Sequence, residues 1–270
     1  MRLLIDVGNS RVKWTIVAAT AAVRWDTLDG VQAGWLTSGA LAHADLTQLA
    51  AQWRAALAAA VGAPSTAQIS SVTVANVAGA ELGAALRNQL AQAGIAIDRV
   101  DWFASVAALC GIRNGYRDPA QLGCDRFAAM IGARALFGAR ALIVASCGTA
   151  TTIDAVESDG GFIGGMILPG VSLMTRALAR HTAQLPAVDP TRGASQRFAD
   201  TTDAAIASGV REAQCGAIER AWRALPDALC VLSGGAAALL APALTIPHHL
   251  IDHLVLLGLQ AATPPGANLP

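Results

Sequence analysis

Three short segments carry residue types that could handle a phosphate group. Asp6-Val7-Gly8-Asn9-Ser10 ends an apolar run that begins at Leu3. A tight glycine turn at a strand end can offer backbone N–H groups to phosphate oxygens. Asp6 could hold Mg²⁺ through water, and Lys13 could neutralise phosphate charge. The same residues also make an ordinary hairpin turn. The second segment, Ser146-Cys147-Gly148-Thr149-Ala150-Thr151-Thr152, ends the apolar run 141–145. Its hydroxyls can donate to phosphate without the charge that would repel it, although threonine also simply favours strands. The third is Gly123-Cys124-Asp125-Arg126 at a helix start. There a carboxylate can accept a hydroxyl proton while the arginine grips an anionic substrate. Electrostatic capping of the helix is the competing reading. Two strand-turn phosphate loops in one chain suggest a two-lobed phosphotransferase with ATP in the cleft.

Other features are weaker. The glycines within 161–170 imply close backbone approach or tight packing. Ser233-Gly234-Gly235 is a strand-end diglycine suited to a flat nucleotide face. His43, His248, His249 and His253 lack metal-ligand spacing and receive no role. Cys110, Cys124, Cys147, Cys215 and Cys230 are odd in number and form no CxxC, which reads as buried reduced thiols.

The elements that must position these residues follow from periodicity and breakers. Residues 2–7 and 12–17 read as a hairpin around Gly8-Asn9, with a further strand at 23–28. A helix over 41–62, stopped by Gly62 and Pro64, precedes a strand at 69–76, a helix at 80–93 and a strand at 95–100. The loop-rich stretch 111–123 marks the lobe boundary, giving lobes 1–119 and 120–262 and a flexible tail at 263–270. The second lobe reads as helix 124–137, strand 141–145 with hairpin partner 151–157, a turn plus third strand at 160–165, and helix 171–179. A long helix at 201–224, a strand at 229–233, a helix opening at 236–240 and apolar residues at 250 and 255–259 complete it. Both halves run strand, hairpin and strand, then alternate helix and strand.

Composition narrows the class. The chain has 270 residues, 19 basic and 19 acidic, and no basic stripe, which argues against nucleic acid as a partner. It is 54% hydrophobic and 14% charged, which raises the membrane question. No window of about 18 residues is free of polar breaks, and the apolar start is too short for a signal peptide. A soluble cytoplasmic protein without a membrane partner is expected.

The order of motifs is more specific than any one of them. Asp6-x-Gly8-Asn9-Ser10 precedes Gly111-Ile112-Arg113-Asn114-Gly115-Tyr116 and Leu122-Gly123-x-Asp125-Arg126. Then come Gly148-Thr149-Ala150-x-Thr152, Gly164-Gly165-x-Ile167-x-Pro169-Gly170 and Ser233-Gly234-Gly235. This series, spanning about residues 2–260, resembles the type III pantothenate kinase family. The resemblance implies an α/β fold of two ribonuclease-H-like lobes (the actin-like ATPase fold) with an ATP cleft between them. It implies phosphorylation of pantothenate by ATP, with Mg²⁺ and a monovalent cation, K⁺ or NH₄⁺, in a homodimer. Carried over, Asp125 is the general base, and Tyr116, Arg126 and Gly123 meet or shape the pantothenate site. Thr182 contacts substrate across the dimer interface. Asp6, Gly8, Asn9, Ser10 and Lys13 form the first phosphate site, and Gly148, Thr149 and Thr151 the second. The family usually carries Asp where this chain has Ser146, at a position linked to the cation or phosphate. Either cation dependence differs here or another group such as Asp154 compensates. Another small-molecule kinase of the superfamily, or a non-catalytic accessory protein on the same scaffold, is the alternative.

Overall fold

The computed structural model describes residues 1–18, 34–61, 69–96, 98, 100–191 and 197–263. The strand expected at 23–28, the Gly62 and Pro64 stop, and 264–270 of the expected tail lie outside them. In chain order the main elements are β1 (Arg2–Val7), β2 (Arg11–Val17), β3 (Trp35–Ala42), α1 (Leu49–Val61), β4 (Ser71–Asn76), α2 (Ala80–Gln92), β5 (Val100–Trp102) and α3 (Cys124–Phe137). They continue with β6 (Leu142–Cys147), β7 (Ala150–Val156), β8 (Phe162–Pro169), α4 (Val171–His181), α5 (Thr202–Ala224), β9 (Leu229–Ser233), β10 (His248–Leu250) and α6 (Leu254–Ala262).

Two compact units result. The first gathers the described residues of Met1–Cys110, Arg117–Gly138 and Val255–Pro270; the second gathers Gly111–Tyr116 and Ala139–Leu254. The boundary expected at 119/120 differs from this division. Helix α3 belongs to the first unit because it packs on β4, and Gly258 of α6 lies so close to the Ala128 carbonyl that no Cβ would fit. Thr263, expected in a frayed tail, is buried and donates to the Leu259 carbonyl at 2.7 Å.

The first unit holds a five-stranded sheet in the order β3-β2-β1-β4-β5. Strands β1, β2 and β3 are antiparallel neighbours, while β4 and β5 run parallel to β1. Leu3, Ile5 and Val7 point into one core with Val12, Trp14, Ile16, Trp53 and Leu86. Alternation sends Arg2, Leu4 and Asp6 to the other face, where they are also buried. The helix expected from 41 instead starts at Leu49, after β3 and a 3-10 turn at His43–Gln48. Pairing with β2 overrides the weak strand preference of Gly39 and Ala40, and a Cβ on Gly39 would sit 2.7 Å from the Trp14 ring. The strand expected at 95–100 begins only at Val100. Gly94, at φ +78°, and Ile95 turn their N–H groups back onto the Ala91 and Leu90 carbonyls and so finish α2.

The second sheet repeats the same order, β8-β7-β6-β9-β10, over a core of Ile143, Ala145, Ile153, Ile218 and Leu232. Antiparallel β6, β7 and β8 again precede two parallel strands. The matched order in both units is the ribonuclease-H-like duplication of the actin-like ATPase fold. Cys147, Cys215 and Cys230 are buried as expected, but Cys124 is half-buried and Cys110 is exposed, held by a contact to the Ala261 carbonyl. Among the described residues no helix is long and apolar enough to cross a membrane.

Candidate active site

In the first unit the antiparallel register places Asp6 opposite Lys13, and Lys13 Nζ lies 3.8 Å from Asp6 Oδ2. Asp6 is 6% exposed. Burial pushes its carboxyl up to about 6; Lys13 pulls it down and Asp125 pushes it up further. The Asp125 carboxyl is likewise raised by burial, against the pull of the Arg126 amide and guanidinium. Asp125 stands in the first turn of α3, where its Oδ1 accepts from the Arg126 N–H at 2.8 Å. A helix-capping role is therefore real, but it does not exclude chemistry. Gly123 makes room for the carboxylate, since a Cβ there would meet Asp125 Oδ1 at 2.7 Å. Arg126 is buried beside it.

Two desolvated carboxylates thus stay raised despite Lys13 beside both and the Arg126 guanidinium beside Asp125, a state that favours either a proton or a further cation. No group of three or more His, Cys, Asp or Glu that could hold a metal occurs among the described residues. A pair of carboxylates suits Mg²⁺, which keeps several waters and shares its remaining ligands with phosphates. The residues present fit that ion.

The β1–β2 turn corrects one expectation. The Gly8 N–H is not free for an anion, because it donates to the Arg11 carbonyl at 3.1 Å. Asn9 and Ser10 form the exposed tip. Two neighbours escaped sequence reading. His43 Nε2 lies 2.9 Å from the Gly8 carbonyl. Cys124 places its thiol 3.7 Å from the Asn76 carbonyl at the end of β4, and burial together with Asp125 pushes it up to about 11. His43 carried no motif, and Cys124 only filled the variable position of Gly123-x-Asp125-Arg126; the fold alone gives each its partner.

In the second unit three glycine segments converge. The Gly148 N–H donates to the Ala150 carbonyl, and the Gly170 N–H donates to the Thr149 carbonyl at 3.0 Å. A Cβ on Gly170 would strike the Gly148 and Thr149 carbonyls. Gly234, at φ +98°, comes close enough to Cys147 that a Cβ would lie 2.5 Å from its carbonyl. Thr149 sits at the turn, half-buried. Thr151 is fully buried opposite Cys147, and its hydroxyl has no partner. The Thr152 hydroxyl is buried and unpartnered as well. Ser146 is half-buried between Thr152 and Ser233 in register. Asp154, 1% exposed, lies two residues beyond Thr152 and so on the same face of β7.

Tyr116 belongs to this unit and stacks on Phe162 with ring centroids 5.5 Å apart, while Gly115 closes onto the Phe162 carbonyl. Thr182 ends α4, exposed. Its hydroxyl donates to the Leu178 carbonyl at 2.8 Å and accepts from the Leu185 N–H, so it shapes the helix end. Site residues therefore fall into two groups: Asp6, Lys13, Gly123, Asp125 and Arg126 in the first unit, and Gly148, Thr149, Thr151, Tyr116 and Thr182 in the second.

Comparison with known proteins bears on what this arrangement serves. In fold, the chain is similar to the ethanolamine utilization protein EutJ from Carboxydothermus hydrogenoformans, with a TM-score of 0.55, 12% identity and 97% and 89% of the two chains covered. It is also similar to the activator of the 2-hydroxyisocaproyl-CoA dehydratase from Clostridium difficile, with a TM-score of 0.51, 10% identity and coverage of 97% and 92%. At those identities the likeness concerns fold alone. In sequence it is 49% identical, over 266 residues and 96% of each chain, to a type III pantothenate kinase of Herminiimonas arsenicoxydans. The family model described as type III pantothenate kinase matches residues 2–224, which takes in the Asp6 turn, the Asp125–Arg126 helix start and the Gly148 turn alike. With one relationship running through every one of these segments, the chain belongs to the type III pantothenate kinase family.

Proposed function

We propose that the enzyme transfers the γ-phosphoryl group of ATP to the primary hydroxyl of pantothenate, forming 4'-phosphopantothenate, the first step of coenzyme A synthesis. The observation that carries this reading is the full-length 49% identity to a type III pantothenate kinase. Phosphoryl transfer needs positioning and charge neutralisation more than covalent chemistry.

Asp125 orients the hydroxyl and takes its proton; its raised pKa makes it a stronger base than an ordinary carboxylate. Arg126 and Tyr116 hold pantothenate, and Gly123 gives the Asp125 carboxylate its space. Asp6 would hold Mg²⁺, and Lys13, with the Asn9-Ser10 tip of the Gly8 turn, receives phosphate oxygens. Mg²⁺, when bound, would neutralise phosphate charge. Gly148, Thr149 and Thr151 form a second phosphate contact, at the turn where Thr149 is half-buried. A monovalent cation, K⁺ or NH₄⁺, sits near Ser146, with Asp154 supplying the charge that Ser146 lacks. The working form is a homodimer, to which Thr182 contributes across the interface. Exposed Ile163 and Ile167 on edge strand β8 support such an assembly, as do Gly209 and Gly216 of α5, where an added Cβ would meet open space. The reading places the enzyme in the cytoplasm, where its five free thiols stay reduced.

The test is ADP release by the purified protein with ATP, Mg²⁺, K⁺ and a panel of acceptors. Turnover is expected with pantothenate and not with glucose, glycerol or acetate. Equal turnover of a sugar, or none of pantothenate, would overturn the reading.

A further inference from the structure

The β1–β2 turn is braced from outside its own hairpin. Gly8 and Arg11 face each other across it, and the Gly8 N–H donates to the Arg11 carbonyl at 3.1 Å. In a two-residue hairpin the reverse bond, from the fourth residue's N–H to the first residue's carbonyl, ordinarily closes the turn. Here the Gly8 carbonyl accepts instead from His43 Nε2 at 2.9 Å. A carbonyl only accepts, so Nε2 carries the proton and the tautomer is fixed. The sheet explains how a residue 35 positions away reaches this carbonyl. Arg11 pairs with Ala42 at the end of β3, and His43 is the next residue, so the β2–β3 register delivers its ring beside the turn.

We propose that His43 is a positioning residue for phosphoryl transfer: by taking the Gly8 carbonyl it holds the turn open, so that the Arg11 N–H is left to an anion. The proposal rests on the reading of this turn as the first phosphate contact. Without the imidazole donor, the Gly8 carbonyl can swing back to close the turn on the Arg11 N–H. That would withdraw one donor from the phosphate and rotate the Asn9-Ser10 tip. Asp6 and Lys13 would stay in place, because the β1–β2 ladder and not the turn holds them. The loss should therefore appear in nucleotide binding and leave the acceptor hydroxyl's site untouched.

The test compares His43→Phe, which keeps a ring but no donor, with His43→Gln, whose side-chain amide can donate from a similar reach. His43 is only half-buried, so both variants should fold, and circular dichroism checks this. Readouts are KM for ATP, KM for pantothenate and ADP affinity by calorimetry. His43→Phe should weaken ADP and raise KM for ATP about 5- to 10-fold, the worth of one net hydrogen bond, with KM for pantothenate unchanged. His43→Gln should recover most of the loss. Wild-type nucleotide affinity in His43→Phe, equal losses for both substrates, or no recovery in His43→Gln would each overturn the proposal. Lys13→Met separates the two levels of inference. If it weakens ADP while His43→Phe does not, only the role of His43 falls. If neither variant changes ADP affinity, the phosphate reading of the turn falls with it.

Discussion

Replacing Asp6 by Asn should make the ligand-free protein more stable at neutral to alkaline pH while disabling the site. The carboxyl is held at about 6 against an ordinary value of 3.8. Between those values the folded chain binds the Asp6 proton more tightly than the unfolded chain does. Stability therefore declines as pH rises through that window, and the full penalty of the buried charge applies above it. A shift of about 2 units at about 1.4 kcal/mol each makes that penalty about 3 kcal/mol. Asparagine has the same shape and no charge, so it avoids the penalty. That shift is already net of the Lys13 attraction, which pulls the carboxyl down, so nothing further is deducted for the broken pair and the expected gain is about 3 kcal/mol at about pH 8. Urea denaturation of both proteins at about pH 4 and about pH 8, with chelator, measures it. The curves should nearly coincide at the acid end, and the Asn variant should be the more stable at the alkaline end. Added Mg²⁺ should then stabilise the wild type and not the variant. A variant less stable than wild type at about pH 8, or a difference that does not change with pH, would refute the argument that Asp6 is an under-compensated carboxylate.

Asp125→Asn should keep its fold, because the amide oxygen can still accept from the Arg126 N–H, and should keep nucleotide affinity while turnover falls about 10²–10⁴-fold. Near-normal turnover in the folded variant would assign the carboxylate to helix capping alone. Ser146→Asp should lower the K⁺ concentration needed for half-maximal activation, because a carboxylate adds charge to an oxygen-ligand site. Superimposed activation curves for the two proteins would remove Ser146, and with it Asp154, from any cation site.

The elements best legible in the sequence were those with a full apolar run and an unambiguous stop. Helix α3 matches its expected span of 124–137, ending at Gly138 with φ +65°, and β9 matches 229–233. Strand β3 was hidden because its evidence is not local. Trp35–Ala42 includes Ser, Gly and Ala, and only pairing with β2 and the contact of Gly39 with Trp14 make it a strand. The unit division was partly hidden for a similar reason. The chain crosses to the second unit at Gly111, returns at Arg117, crosses again at Ala139 and returns at Val255; the loop-rich stretch 111–123 marks the first two of those points, and no such stretch marks the return at Val255.

The site was legible to the extent that its geometry follows from short-range register. A turn centred on Asn9-Ser10 forces Asp6 opposite Lys13, so that ion pair could be read from spacing. The same alternation could have shown that Thr151 shares a face with Ile153 and points inward, which the structure finds. What spacing could not give is the third partner. Asp125 lies more than a hundred residues from Asp6, and its field on Asp6 exists only because α3 packs on β4, the strand beside β1. That packing adds to what burial does. Burial alone raises the Asp6 carboxyl against the pull of Lys13, and the nearby Asp125 raises it further. Asp125 is itself desolvated, and although Arg126 and Lys13 both pull it down, its carboxyl stays raised, so the charged pair is under-compensated for want of water. The ligand-free fold bears that imbalance as lost stability. If Asp6 holds Mg²⁺ as proposed, the ion relieves it, and the free energy withheld in folding becomes available for binding that ion.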